Sequence, residues 1–192
     1  MSPSADGRPT VLVVDDEREV ADVLALKIRE RYETRVAYGG REALESIDES
    51  VDAVLLDRRM PDLHGDEVLA AIRDRGYDCV VVMTTAVDPD LNILEMDFDD
   101  YLSKPIETET LLTTLDQQID TRRGSEPQLE EFFSVVSKLE VLESELTPAE
   151  LADSDEYERR KREAERLGRQ LQESHPDFDE IVDTFRDIDR NV

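Results

Sequence analysis

Cysteine is almost absent from this chain, with Cys79 the only one among 192 residues. That excludes an intramolecular disulfide and a cysteine-ligated metal cluster, and leaves Cys79 to pack as a small apolar residue at the start of a strand. Aromatic residues are scarce at 5%, and 23 basic side chains, only four of them Lys, face 49 acidic ones for a formal net charge of -26. So few cations leave no basic face for phosphate contacts, which argues against general affinity for nucleic acid or anionic membranes. No apolar stretch approaches the length of a membrane span and the N-terminus shows no signal-peptide core, so a cytoplasmic location is expected. Composition of this kind borders on that of disordered chains, yet the first 120 or so residues carry well-formed aliphatic runs. The reading these facts favour is a folded protein with a hydrated carboxylate surface, as in very salty cytoplasm. At molar salt the Debye length is only about 3 Å, so the self-repulsion is screened.

What the sequence does have is punctuation at the ends of those runs. Val11-Leu-Val-Val14 ends in Asp15-Asp16, Val51-Asp-Ala-Val-Leu-Leu ends in Asp57, Val80-Val-Val-Met83 ends in Thr84-Thr85-Ala86, and Tyr101-Leu-Ser103 ends in Lys104-Pro105. Short unbroken apolar runs alternating with longer periodic stretches predict parallel strands alternating with helices. The expected strands are 10–14, 34–37, a third ending at Asp57, 80–83 and 100–103. The helix from about Glu17 to Arg31 carries a stripe of Val20, Val23, Leu24, Leu26 and Ile28. Gly39-Gly40 turns into a helix with Ala43, Leu44 and Ile47, and a third helix carries Val68, Leu69 and Ile72. The segment from Val87 to Asp99 predicts only a short or marginal helix, and a last one runs from about Glu107 to Asp120. Five repeats of strand and helix predict an α/β domain over residues 9–121: a doubly wound five-stranded parallel sheet, flavodoxin-like, with helices on both faces.

Ligands bind such a sheet at the carboxyl edge of its strands. Asp15, Asp16, Asp57, Thr85 and Lys104 are therefore expected at one rim. Carboxylates meeting there repel one another unless a cation joins them, and Mg2+ suits an oxygen-only donor set that also takes phosphate oxygens. Asp57 is then a carboxylate nucleophile that forms an acyl phosphate. Lys104 supplies positive charge and Thr85 a hydroxyl to the phosphoryl oxygens. Lys104-Pro105 is a candidate cis peptide.

Beyond the breaker cluster Arg122-Arg-Gly-Ser-Glu-Pro127, read as a linker over residues 122–128, the strands stop. Leu129, Phe132, Val136, Leu139, Leu142 and Leu146 recur at helical spacing. Thr147-Pro148-Ala149-Glu150 is a helix start, and the helix it opens is expected to run to about Ser174 with Leu151, Tyr157, Ala164, Leu167 and Leu171 on one face. Pro176 opens a last helix with Phe178, Ile181, Val182, Phe185 and Ile188. This all-α helical hairpin extension, residues 129–190, is small for a stable unit, so it is expected to form a homodimer or to dock on the first domain. Arg159-Arg160-Lys161-Arg162 alternates with acidic residues and predicts a salt-bridged helix face rather than a DNA-binding patch. Neither His64 nor His175 is expected to bind metal or act as a base.

Asp15-Asp16, Asp57 followed by Met60-Pro61, Thr85-Ala86 and Lys104-Pro105, in that order and spacing, resemble the receiver domain of two-component response regulators. The resemblance implies that Asp57 is the phosphoacceptor for a sensor histidine kinase. It also implies that Asp15, Asp16, Asp57 and the backbone carbonyl of Arg59 hold Mg2+, and that Thr85 and Tyr101 form a switch pair. Receivers of this kind are phosphoacceptors with at most slow autophosphorylation and autodephosphorylation, not enzymes. Arg59 occupies a position where side chains affect water access, so it is expected to alter phosphoryl lifetime. Val136-Val-Ser-Lys-Leu-Glu-Val-Leu-Glu143 and Glu145 to Tyr157 resemble the HalX domain that follows haloarchaeal receivers, implying an output or dimerisation module. Two departures stand out: the stretch from Ala86 to Lys104 is short, and Asp97-Phe98-Asp99-Asp100 replaces the usual Gly-Ala before the acidic pair. Two competing readings are a non-phosphorylated scaffold with a receiver fold and an Asp-nucleophile phosphohydrolase. The latter needs a second Asp where Arg59 stands.

Overall fold

The computed structural model describes residues 7–86, 89–124 and 127–186. Its centre is a five-stranded, all-parallel sheet in the order β2-β1-β3-β4-β5. The strands are β1 (Thr10–Val14), β2 (Glu33–Ala37), β3 (Ala53–Asp57), β4 (Val80–Thr85) and β5 (Asp100–Ser103). β1, β3 and β4 are buried along their whole length, which is why their sequences are unbroken aliphatic runs rather than alternating ones. Helices α1 (Arg18–Ile28) and α4 (Thr108–Arg123) cover one face. Helices α2 (Gly40–Ser46) and α3 (Gly65–Asp74) cover part of the other.

The stripe of α1 differs from the expected one. Ala21, Leu24, Ala25 and Ile28 are its buried residues, whereas Val23 and Leu26 are 50% and 55% exposed. The spacing i, i+3, i+4, i+7 selects a face that includes two alanines, which counting only large apolar residues overlooks.

Between β4 and β5 the expected marginal helix is a 3₁₀ turn of five residues, Leu91–Glu95; Val87 and Asp88 lie outside the described residues. Its vacant area is covered from elsewhere. Helix α5 (Pro127–Glu145) packs on β5 and on the 3₁₀ turn. Val135, Leu139, Val141 and Leu142 of α5 join the same buried cluster as Met83, Ile93, Phe98 and Tyr101. The C-terminal helices therefore share the core of the α/β layer.

Residues 147–174 form two helices instead of the expected single one, α6 (Pro148–Ala152) and α7 (Asp155–Ser174). Thr147 caps the first through a reciprocal pair with Glu150. Ser154 restarts the chain as a second cap, its hydroxyl accepting from the Tyr157 N–H at 3.2 Å, a signal as strong as the first. α7 runs against α5, and α8 (Phe178–Arg186) closes a second cluster in which Phe132, Phe133, Phe178 and Phe185 stack edge and face. Ile188, expected on α8, lies outside the described residues, as do Ser125 and Glu126 of the expected linker. α4 itself continues to Arg123, two residues into that stretch.

Arg159, Arg160 and Arg162 pair with Glu156, Glu163 and Glu158 along α7. No described helix is long and apolar enough to cross a membrane.

Candidate functional site

Three side chains remote in sequence meet at the carboxyl rim of the sheet. The Lys104 ammonium donates to Asp15 Oδ2 at 2.6 Å and to Asp57 Oδ1 at 2.5 Å. Asp15 is 1% exposed and Asp57 5%. Parallel pairing of β1 with β3 and of β3 with β4 sets their ends level, Asp57 opposite Thr84, and the register of β5 beside β4 brings Lys104 in one residue past Ser103. The Lys104–Pro105 peptide is cis.

Beyond β3 the chain turns sharply back. Asp57 Oδ2 accepts the Arg59 N–H at 2.8 Å, and Gly65 closes the loop by donating to the Arg58 carbonyl at 2.9 Å. A Cβ on Gly65 would collide with the Asp57 and Arg58 backbone, so only glycine fits where α3 begins beneath the end of β3.

Burial lifts the Asp57 carboxyl above its ordinary value; the Lys104 ammonium opposes that rise and the nearby Asp15 charge adds to it. For Lys104 burial works against the charged form, but hydrogen bonds to Asp15 and Asp57 outweigh it and hold the ammonium above its ordinary value. One cation between two buried carboxylates leaves an excess negative charge in a dry site, which a further cation would relieve. Asp16, half-buried, is the next residue after Asp15. Among the described residues no three His, Cys, Asp or Glu side chains are grouped ready to hold a metal. The carboxylate oxygens of Asp15 and Asp57 are nevertheless of the kind a hard divalent ion takes. Arg59, whose carbonyl was expected among the ligands, is exposed.

Thr85 and Tyr101 are buried, at 1% and 0% exposure. Burial pushes the Tyr101 phenol up to about 12, opposed by the Arg58 guanidinium beside it and by a hydrogen bond with Thr85. The pair expected from the sequence is thus in contact, with the phenol turned inward.

Arg58 was not anticipated. It follows the phosphoacceptor candidate directly, is 6% exposed, and reaches Asp66 at the start of α3 and Asp90 before the 3₁₀ turn. Those two carboxylates outweigh the burial that disfavours its charge. A charged residue so close after an aliphatic strand was the available signal. In the sequence Asp99 and Asp100 stand only as a departure from the receiver pattern. Asp99 accepts from Arg73 at 2.9 Å, Arg122 at 2.6 Å and the Val81 N–H at 2.7 Å. Asp100 accepts from Ser137, Gln118 and the Tyr101 N–H. An acidic pair opening a buried strand requires such partners, but nothing local in the sequence says where they lie.

Comparison with known proteins agrees with this geometry. The model of the response regulator receiver domain matches residues 11–116. The chain belongs to the response regulator receiver family. A HalX domain model matches residues 121–189 directly behind the receiver. A Haloferax volcanii protein provisionally named a transcriptional regulator is 47% identical over 135 residues, which is 70% of this chain and 23% of that relative. The chain thus spans about a quarter of that relative's length; its haloarchaeal source agrees with the acidic composition. Among solved structures, the receiver domain of the Francisella response regulator 1452 aligns at 29% identity over 60% of this chain and 99% of its own, TM-score 0.54. Vibrio cholerae CheY4 aligns at 28% identity over 57% of this chain and 98% of its own, TM-score 0.54. A CheY-like receiver from Methanospirillum hungatei aligns at 24% identity over 62% and 99%, TM-score 0.58, and shows the fold alone.

Proposed function

We propose that this receiver accepts a phosphoryl group on Asp57 from a sensor histidine kinase and passes the change to its C-terminal helices. The observation that carries the reading is the Lys104 ammonium held between Asp15 and Asp57 at hydrogen-bond distance from both. A phosphoryl group on Asp57 would bring new anionic oxygens to that ammonium, and charge-assisted bonds of this kind are the strong ones. In the transfer an Asp57 carboxylate oxygen bonds to phosphorus as the bond from phosphorus to the donor imidazole nitrogen breaks, the electron pair staying on a ring that carries a proton at its other nitrogen, so that neutral histidine is left on the kinase. Asp15, Asp16, Asp57 and the Arg59 carbonyl would hold Mg2+. When bound, the ion offsets charge on the phosphoryl oxygens. Thr85 would donate its hydroxyl to one of those oxygens and withdraw from Tyr101. Release of phosphate from Asp57 then depends on water reaching it past Arg59, which is exposed at the rim.

The test is incubation of the full chain with acetyl phosphate and Mg2+ in concentrated salt, followed by intact mass. One phosphoryl adduct is expected, absent without Mg2+ and absent in Asp57→Asn. An unmodified mass under all conditions, or an adduct that survives Asp57→Asn, would overturn the proposal and favour a scaffold role.

A further inference from the structure

We infer that the partner addressed by the β4–β5 side of this receiver, where Thr85 and Tyr101 lie, is helix α5 of its own chain, docked beside the short 3₁₀ turn between those strands and loosened when Asp57 is occupied. The inference rests on the phosphoacceptor reading above. It starts from the small 3₁₀ turn Leu91–Glu95, which cannot cover β4 and β5 by itself. α5 packs on β5 and on the turn, with Leu139, Val141 and Leu142 buried in the cluster that also holds Met83 of β4, Phe98 and Tyr101.

The contact is built of more than apolar surface. The Ser137 hydroxyl, 0% exposed, donates to Asp100 Oδ1 at 2.5 Å, and the same oxygen accepts the Tyr101 N–H at 2.8 Å. Gln118 of α4 fixes the other Asp100 oxygen at 2.9 Å. Ser134 donates to the Phe98 carbonyl at 2.7 Å, and the Lys138 ammonium lies over the Phe98 ring at 4.7 Å. The Phe98 and Tyr101 rings are 6.0 Å apart. One carboxylate therefore ties α5 to the residue whose phenol touches Thr85. If Thr85 turns to a phosphoryl oxygen, Tyr101 loses that hydrogen bond. The next groups along the path are Asp100 and Phe98, both held by α5.

The experiment is hydrogen–deuterium exchange on the full chain in concentrated salt with Mg2+, with and without beryllofluoride, with fluorine NMR of the same samples reading occupancy of Asp57. Loss of one hydrogen bond predicts exchange in α5 about fivefold faster on loading, with amides of α1 and α2 unchanged. Ser137→Ala, which keeps the apolar contact, is expected to raise α5 exchange in the free protein and to shrink the response to beryllofluoride. Occupied Asp57 with α5 exchange unchanged or slower overturns this inference and leaves the phosphoacceptor reading standing. A full response in Ser137→Ala also overturns it, because the signal would then bypass Asp100. Absence of bound beryllofluoride in the fluorine spectrum overturns both readings together.

Discussion

Single residues at the junction carry unusual electrostatic loads. Lys138 is 7% exposed, with the Ser134 hydroxyl and the Phe98 ring against its ammonium. Burial pushes its pKa down to about 8, with Arg160 adding to the fall and Asp99 and Asp97 opposing it. The folded value lies below the unfolded one, so the unfolded chain holds more protons between about pH 8 and the ordinary lysine range, and stability rises with pH across that window. Below it the full cost of the buried charge is present. Lys138→Met is therefore expected to be more stable than the wild type by about 2 kcal/mol at about pH 7, after allowing for the lost ring contact. By about pH 10 the advantage should shrink to near zero. Thermal melts of both proteins across that range check it, and a gap independent of pH would refute the assignment. Asp99 shows the opposite case. It holds Arg73 and Arg122 together with the Val81 N–H, and breaking a buried pair leaves an uncompensated charge, typically about 3–5 kcal/mol. Asp99→Ala should lower the unfolding free energy by an amount of that order, read by urea titration, while an effect within about 0.5 kcal/mol would mark these ion pairs as superficial.

At the level of elements, α5 is predicted to fold and unfold with the sheet rather than with a separate hairpin. Leu142 is 0% exposed in the cluster shared with Met83 and Tyr101, and truncating a buried Leu costs about 2–5 kcal/mol. Leu142→Ala should shift one cooperative transition as a whole, seen alike by helical circular dichroism and by tyrosine fluorescence. Two separated transitions would show instead that the helices melt independently. This docking is also where reading the sequence stopped short. The five strands, the end of β3 at Asp57, and the residues now at the rim were readable because each depends on a local apolar run and the polar group ending it; β4 runs two residues past the expected Met83, through polar Thr84 and Thr85 that an apolar count leaves out. The helical spacing of Leu129, Phe132, Leu139 and Leu142 was equally plain. The partner of that face was not, because an amphipathic stripe states that it must be covered and says nothing of by what. Ser134, Ser137 and Lys138 interrupt α5 with polar groups, and Asp99-Asp100 opens a buried strand with two charges. Each oddity is answered by the other, a long-range match that no local window contains. Ser154 is different: it is a cap of ordinary type, masked in the sequence by apolar spacing that continues across it.

For the whole molecule the governing quantity is a net charge of -26 over 192 residues. Many of the 23 basic side chains are already committed to specific carboxylates, as Arg35 is to Asp48, Arg123 to Asp52 and Arg160 to Glu156 and Glu163. Acidic side chains outnumber basic ones by about two to one, 49 against 23, so their mutual repulsion opposes the compact state. Added salt should therefore raise the melting temperature. Screening makes a prediction about shape as well as sign. The Debye length falls from about 10 Å at 0.1 M to about 3 Å at 1 M. Most of the gain from screening must then fall below about 1 M KCl, with a plateau beyond it. A melting temperature that keeps climbing steadily into the multimolar range would assign the salt requirement to exclusion of the salt from apolar surface, which strengthens burial without a plateau. Replacing KCl with potassium sulfate separates the two, because exclusion strengthens sharply with sulfate while screening depends on ionic strength. Coincident curves on an ionic-strength axis are the expected result.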